Sequence, residues 1–120
     1  MEELRLFESE FRFMTLVWDN EPVSSMKLVE LCAAELKWKK STTFTMLKKM
    51  CEKGFAKNER AVVTSLVSRE TVQTAESERV VENAFAGSLP NFLVSFLGSK
   101  KLSKEETERL IRLIEAHREE

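Results

Sequence analysis

Tyrosine is absent from this 120-residue chain, and histidine occurs once, as His117 in the charged segment HREE. A lone histidine there is poorly placed as a general base, so acid–base catalysis has little to work with. The two cysteines, Cys32 and Cys51, give neither a zinc-site spacing nor a disulfide framework. Each falls in a helical apolar pattern, which fits buried, reduced thiols in a cytoplasmic protein. The three glycines form no phosphate-cradling loop. No enzymatic activity, metal or cofactor is therefore expected. No apolar run approaches about 18 residues, which predicts no transmembrane span and no insertion into a membrane. The acidic, amphipathic stretch MEELRLFESEF is unlike a basic-then-apolar signal peptide. With three glycines and two prolines, loops should be few and helix should predominate.

What is present is a core and a sharp segregation of charge. A hydrophobic content of 42% is enough for one domain, or for one small domain with an appendage. Lys37 to Lys57 holds seven lysines against the single acid Glu52, so this stretch carries +6 in a chain of net −1. Such a segment calls for a polyanionic partner. Inside it Phe44, Leu47, Met50 and Cys51 return at helical spacing, and Gly54 stands where a C-cap belongs. At 100° per residue, Thr43, Met50, Cys51 and Gly54 share the side of Leu47. Ser41, Thr42, Thr45, Lys48 and Lys49 fall opposite. Hydroxyls and amines on that face can donate to phosphates and read base edges in a major groove of double-stranded DNA. Lys39 and Lys40 extend the basic surface at its start. An ordinary solvated lysine face is the competing interpretation.

The flanking chain supplies context. Residues from about 7 to 19 read as a first helix, with Phe7, Phe11, Met14, Leu16, Val17 and Trp18 as its stripe and Pro22 beyond its end. Asn20 to Val23 is a connection. Ser24 caps a second helix, about 25–36, with Leu28, Leu31, Cys32 and Leu36 on one side. Trp38 plugs the core, and Ser41 is a natural N-cap for the basic helix, unless that helix already begins at Lys40. After Gly54 the period changes. Phe55–Asn58 and Ala61–Val67 read as strands with a turn at Asn58, Glu59 and Arg60, which is the wing of a winged helix. Its turn lacks an Asn-Gly or Asp-Gly pair. Lys57 and Arg60 stand where they can reach phosphates.

Ser68 caps a fourth helix to about Ala86. Ser88, with Pro90 in the first turn, opens a fifth, and Ser103-Lys104-Glu105-Glu106 opens a sixth with capping-box spacing. Leu89, Phe92, Leu93, Phe96, Leu97, Leu102, Leu110, Ile111 and Ile114 exceed what so short a segment can bury by itself. Either the preceding domain covers them or a second copy does, giving a two-fold dimer. A dimer would set two recognition helices about 34 Å apart, or a multiple of that, and so favour a palindromic operator. The expected fold class is mainly α with a short β-hairpin. Residues 1–68 would form a winged helix-turn-helix domain and residues 69–120 a helical dimerisation domain.

The chain resembles the penicillinase-repressor family over nearly its whole length. The likeness rests on Glu10-Phe11-Arg12-Phe13-Met14 with Leu16-Val17-Trp18, on Trp38, on Ser41-Thr42-Thr43-Phe44-Thr45-Met46-Leu47, and on Lys53-Gly54. In the tail it rests on Gly87-Ser88-Leu89, Phe96-Leu97 and Leu102-Ser103. It implies a homodimeric transcriptional repressor of an inverted-repeat operator, controlling β-lactam resistance or a related stress response. By position it implies DNA contact at Ser41, Thr42, Thr45 and Lys48, with Phe44 either against a thymine methyl or in the core. In the antibiotic-responsive branch a membrane sensor metalloprotease cleaves the repressor, typically at an Asn-Phe bond; the matching pair here is Ser95-Phe96. The hairpin is shorter than the family's wing and lacks its glycine-rich tip. The cysteine cluster of the copper-sensing branch is missing, which argues against copper sensing. The alternative to a repressor is a winged-helix module that docks another protein without binding DNA.

Overall fold

A computed structural model describes residues 4–120. Among these residues the helices are α1 (Glu8–Asn20), α2 (Ser25–Leu36), α3 (Lys40–Glu52), α4 (Arg69–Phe85), α5 (Leu89–Leu97) and α6 (Lys104–Ala116). The strands are β1 (Val23–Ser24), β2 (Ala56–Glu59) and β3 (Val62–Ser65), which form an antiparallel sheet in the order β1-β3-β2. The chain is mainly helical, with a winged helix followed in sequence by a helical region. It divides into two compact units, Met1–Val80 and Val81–Glu120, a division that falls inside α4.

Serine caps explain many of the boundaries. The Ser24, Ser68, Ser88 and Ser103 hydroxyls accept the N–H groups of Lys27, Thr71, Asn91 and Glu106 at 3.0 to 3.1 Å, each filling one of the helix's orphan donors. α2 ends with Lys37 in the left-handed region at φ 60° and the Trp38 N–H on the Cys32 carbonyl. α3 ends the same way, with Gly54 at φ 85° and the Phe55 N–H on the Met50 carbonyl at 2.9 Å.

The first unit closes on a continuous core. Phe13, Met14 and Val17 of α1 meet Leu28 and Cys32 of α2, Leu47 and Met50 of α3, and Phe55, Val63 and Val72. Fully burying each such side chain contributes about 1.5–3 kcal/mol. Trp38 stacks on Phe13 with centroids 6.2 Å apart, the plugging role its position predicts. The Trp18 indole N–H donates to the Val67 carbonyl at 3.0 Å, tying α1 to the chain that leaves the hairpin.

Three local features differ from the sequence expectation. Val23–Ser24 is a strand, not a plain connection: it pairs Val23 with Val63 and Ser24 with Val62, so β3 is the central strand. The hairpin turn lies at Arg60-Ala61, with Glu59 opposite Val62, not at Asn58-Glu59-Arg60. Both turn residues have positive φ, 52° and 65°, which is the type I′ geometry that matches strand twist even without glycine. Third, α3 begins at Lys40 with Lys39 in the N-cap position; Ser41 lies inside the helix and caps nothing.

Candidate nucleic-acid interface

The two faces of α3 are cleanly divided. Thr43, Leu47 and Met50 are buried, while Lys40, Ser41, Thr42, Thr45, Lys48 and Lys49 are exposed. A threonine is tolerated in the core at position 43 because its hydroxyl donates to the Lys39 carbonyl of its own helix at 3.2 Å. Phe44 is half-buried, with the Lys40 ammonium 5.9 Å from its ring centre. The first turn of α3 receives no side-chain cap, which leaves its N–H groups open to an anion. The outward face thus offers three hydroxyls, at 41, 42 and 45, between the lysines at 39, 40 and 48. Among the described residues no acid lies within ion-pair distance of those three lysines, so their charge is available to a ligand.

The other expected basic residues stand differently. Lys57 pairs with Glu59 across 2.8 Å on the exposed side of β2, a contact of little energetic weight. Arg60 is exposed at the tip of the turn. Lys49 is engaged within the protein: its Nζ lies 2.9 Å from Oε2 of Glu10, a carboxylate only 1% exposed. Lys53 reaches the same carboxylate, donating to Oε1 at 3.2 Å and Oε2 at 3.3 Å. The Phe7 N–H adds a further bond to Oε1 at 2.9 Å. Burial by itself would raise the Glu10 pKa, but the Phe7 N–H and the two ammonium groups outweigh it and hold the carboxyl below the usual carboxylate range. The sequence marked Lys49 as outward-facing, and it is 54% exposed; the buried acid that holds it lies on another helix and left no signal in local spacing.

The thiols have no comparable role. Cys32 is buried and Cys51 half-buried, both free, and burial pushes both thiols up. No three His, Cys, Asp or Glu side chains gather as metal ligands among the described residues.

In the second unit α5 and α6 bury none of their residues. Phe92 packs edge-on against Phe85 at 5.5 Å and stacks with Phe96 at 5.8 Å, while Leu93 and Leu97 are half-buried. Leu89, Phe96, Leu110, Ile111 and Ile114 are exposed, and Val94 and Leu113, which the sequence did not single out for this face, are exposed as well. Ser95 and Phe96 both lie exposed within α5, so their peptide bond is in regular helix. No single helix is long and apolar enough to cross a membrane.

A helix-turn-helix whose third helix turns hydroxyls and lysines outward, followed by a hairpin, defines a winged-helix protein. Comparison with known proteins gives the same class. The family model described as penicillinase repressor matches residues 6–116. The chain is also 20% identical over 118 residues to the penicillinase repressor of Bacillus licheniformis, covering 95% of this chain and 92% of that protein. The chain belongs to the penicillinase repressor family, a family of DNA-binding transcriptional repressors.

Proposed function

We propose that this protein is a homodimeric repressor that reads an inverted-repeat operator in the cytoplasm with α3 of each protomer. The observation that carries this reading is the outward face of α3, whose three hydroxyls and unpaired lysines are presented by a helix locked into the core on its other side. Lys39, Lys40 and Lys48 would neutralise phosphates, with Lys57 and Arg60 of the wing flanking them. Thr42 and Thr45 would reach base edges. Residues 1–68 would bind DNA and residues 69–120 would associate, because Leu89, Phe96, Leu110, Ile111 and Ile114 leave an apolar surface that a second copy could cover. Phe92, Leu93 and Leu97 would stiffen that surface from beneath. The name of the Bacillus relative makes β-lactam resistance or a related stress response the first candidate for what is repressed. A membrane sensor metalloprotease is the corresponding inducing partner, and Ser95-Phe96 its candidate cleavage site.

The test is a mobility shift on DNA upstream of the protein's own gene at several salt concentrations, with footprinting. A discrete complex that protects an inverted repeat is expected, with log affinity falling by about 0.9 per phosphate contact for each unit of log salt. Lys48→Ala should flatten that slope by about 0.9 per protomer on every sequence, and Thr45→Ala should weaken discrimination at one base position. Sequence-blind retention that vanishes at physiological salt would remove the operator reading and favour docking on another protein.

A further inference from the structure

The family and the outward face of α3 leave one arrangement unused: a buried carboxylate on α1 that spends itself on two lysines of the recognition helix. Glu10 and the ammonium groups of Lys49 and Lys53 form a closed set within the first unit. Lys53 is further fixed between aromatic rings, 5.9 Å from the centre of Phe7 and 5.7 Å from that of Phe55. Positions 49 and 53 are one helical turn apart, so the two ties hold the last turn of α3 along a single line. A core of aliphatic contacts resists separation of helices but permits small rotations about the helix axis. Charged hydrogen bonds to one buried carboxylate are directional and resist that rotation. A rotation of α3 would swing Thr45 and Lys48 away from the positions they must hold in a groove.

We propose that Glu10 is a positioning residue for operator reading: it sets the rotation of α3 by holding Lys49 and Lys53, and it keeps Lys49 out of the set of phosphate-binding lysines. This rests on the DNA-binding reading above. Lys49 therefore adds nothing to counterion release, although its side chain is 54% exposed. The arrangement also spares the complex a loosely placed charge beside the reading face, one that would raise affinity for every sequence equally.

The test compares wild type, Glu10→Gln, Lys48→Ala and the double variant Glu10→Gln/Lys49→Ala, measuring affinity for the footprinted operator and for random duplex across salt. Glutamine keeps an acceptor for the Phe7 N–H but loses the charge. In Glu10→Gln, Lys49 should swing to a phosphate, steepening the salt slope by about 0.9 per protomer on random DNA. Operator-over-random discrimination should fall about tenfold at the same time. Adding Lys49→Ala should return the slope to the wild-type value while discrimination stays low. A wild-type slope and discrimination in Glu10→Gln would overturn the role, as would a double variant whose slope is flatter than wild type by about 0.9. Lys48→Ala separates the two levels: if it too leaves the slope unchanged, the phosphate reading of α3 fails and this role falls with it. A measurement on wild type alone guards against a variant that does not fold. In acetylation footprinting Lys48 should lose reactivity when operator is added, whereas the reactivity of Lys49 should be the same free and bound. Protection of Lys49 by DNA to the same degree as Lys48 would overturn the proposal.

Discussion

The two units of this chain are made of the same material and end in opposite states. Both are built from amphipathic helices, several of them opened by serine caps. In the first unit the apolar stripes converge: Phe13, Met14, Val17, Leu28 and Met50 have no exposure at all. In the second, α6 has a stripe at least as regular, yet Leu110, Ile111, Leu113 and Ile114 all remain exposed. Periodicity therefore reports that a face wants covering; it does not report what covers it. A stripe satisfied within its own chain is structure, and a stripe left open is the place to test for a partner.

Breaking this contrast should produce its largest effect in the first unit. Phe13→Ala removes the ring that stacks on Trp38 and leaves a cavity, so unfolding free energy by chemical denaturation should drop by about 3–5 kcal/mol. The matching change in the second unit should behave in the opposite way. Ile111→Glu with Ile114→Glu alters two exposed side chains and should barely change the folding of the monomer by circular dichroism, while sedimentation at micromolar protein should show a monomer where wild type forms the proposed dimer. Loss of helix content without change of oligomeric state would show those faces to be internal.

A smaller effect in the first unit depends on pH. The folded pKa of Glu10 lies below its unfolded value, so its stabilising contribution is fully present above about pH 4.3 and is lost as pH falls through the folded value. The melting temperature of wild type should fall over that acid range, and Glu10→Gln should fall less steeply while starting lower. The smallest effect is a gain. Arg60 and Ala61 hold left-handed backbone that their side chains disfavour, and Ala61→Gly should raise stability by up to about 1 kcal/mol by thermal melting. A loss there would mean that the Ala61 methyl makes contacts worth more than the strain.

Much of this was legible in the sequence, and the parts that were not have common physical causes. Helix positions could be read because caps and periodicity are local: Ser24, Ser68, Ser88 and Ser103 each accept an N–H of the helix they open. The inside and outside of α3 were legible because Thr43, Leu47 and Met50 recur at 3.6 residues. β1 was invisible because two residues carry no period; it exists only because β3 offers an edge. The turn was misplaced by one or two residues because its positive φ angles fall on arginine and alanine, where no composition signal marks them. Lys49 looked like its neighbour Lys48 because its partner, Glu10, sits 39 positions earlier in the chain. Local signals survive in sequence; partnerships across the fold do not.

The order β1-β3-β2 has a bearing on how the chain avoids unwanted company. A small sheet exposes two edges, and an open edge is a template for another chain's backbone. Here one edge is the two-residue β1, preceded by Pro22, which has no N–H to offer. The other is β2, where Lys57, Asn58 and Glu59 are all solvent-facing and two of them are charged. Both edges are thereby disfavoured as templates for a further strand. The sheet thus carries, at both of its margins, features that work against open-ended, fibre-forming growth.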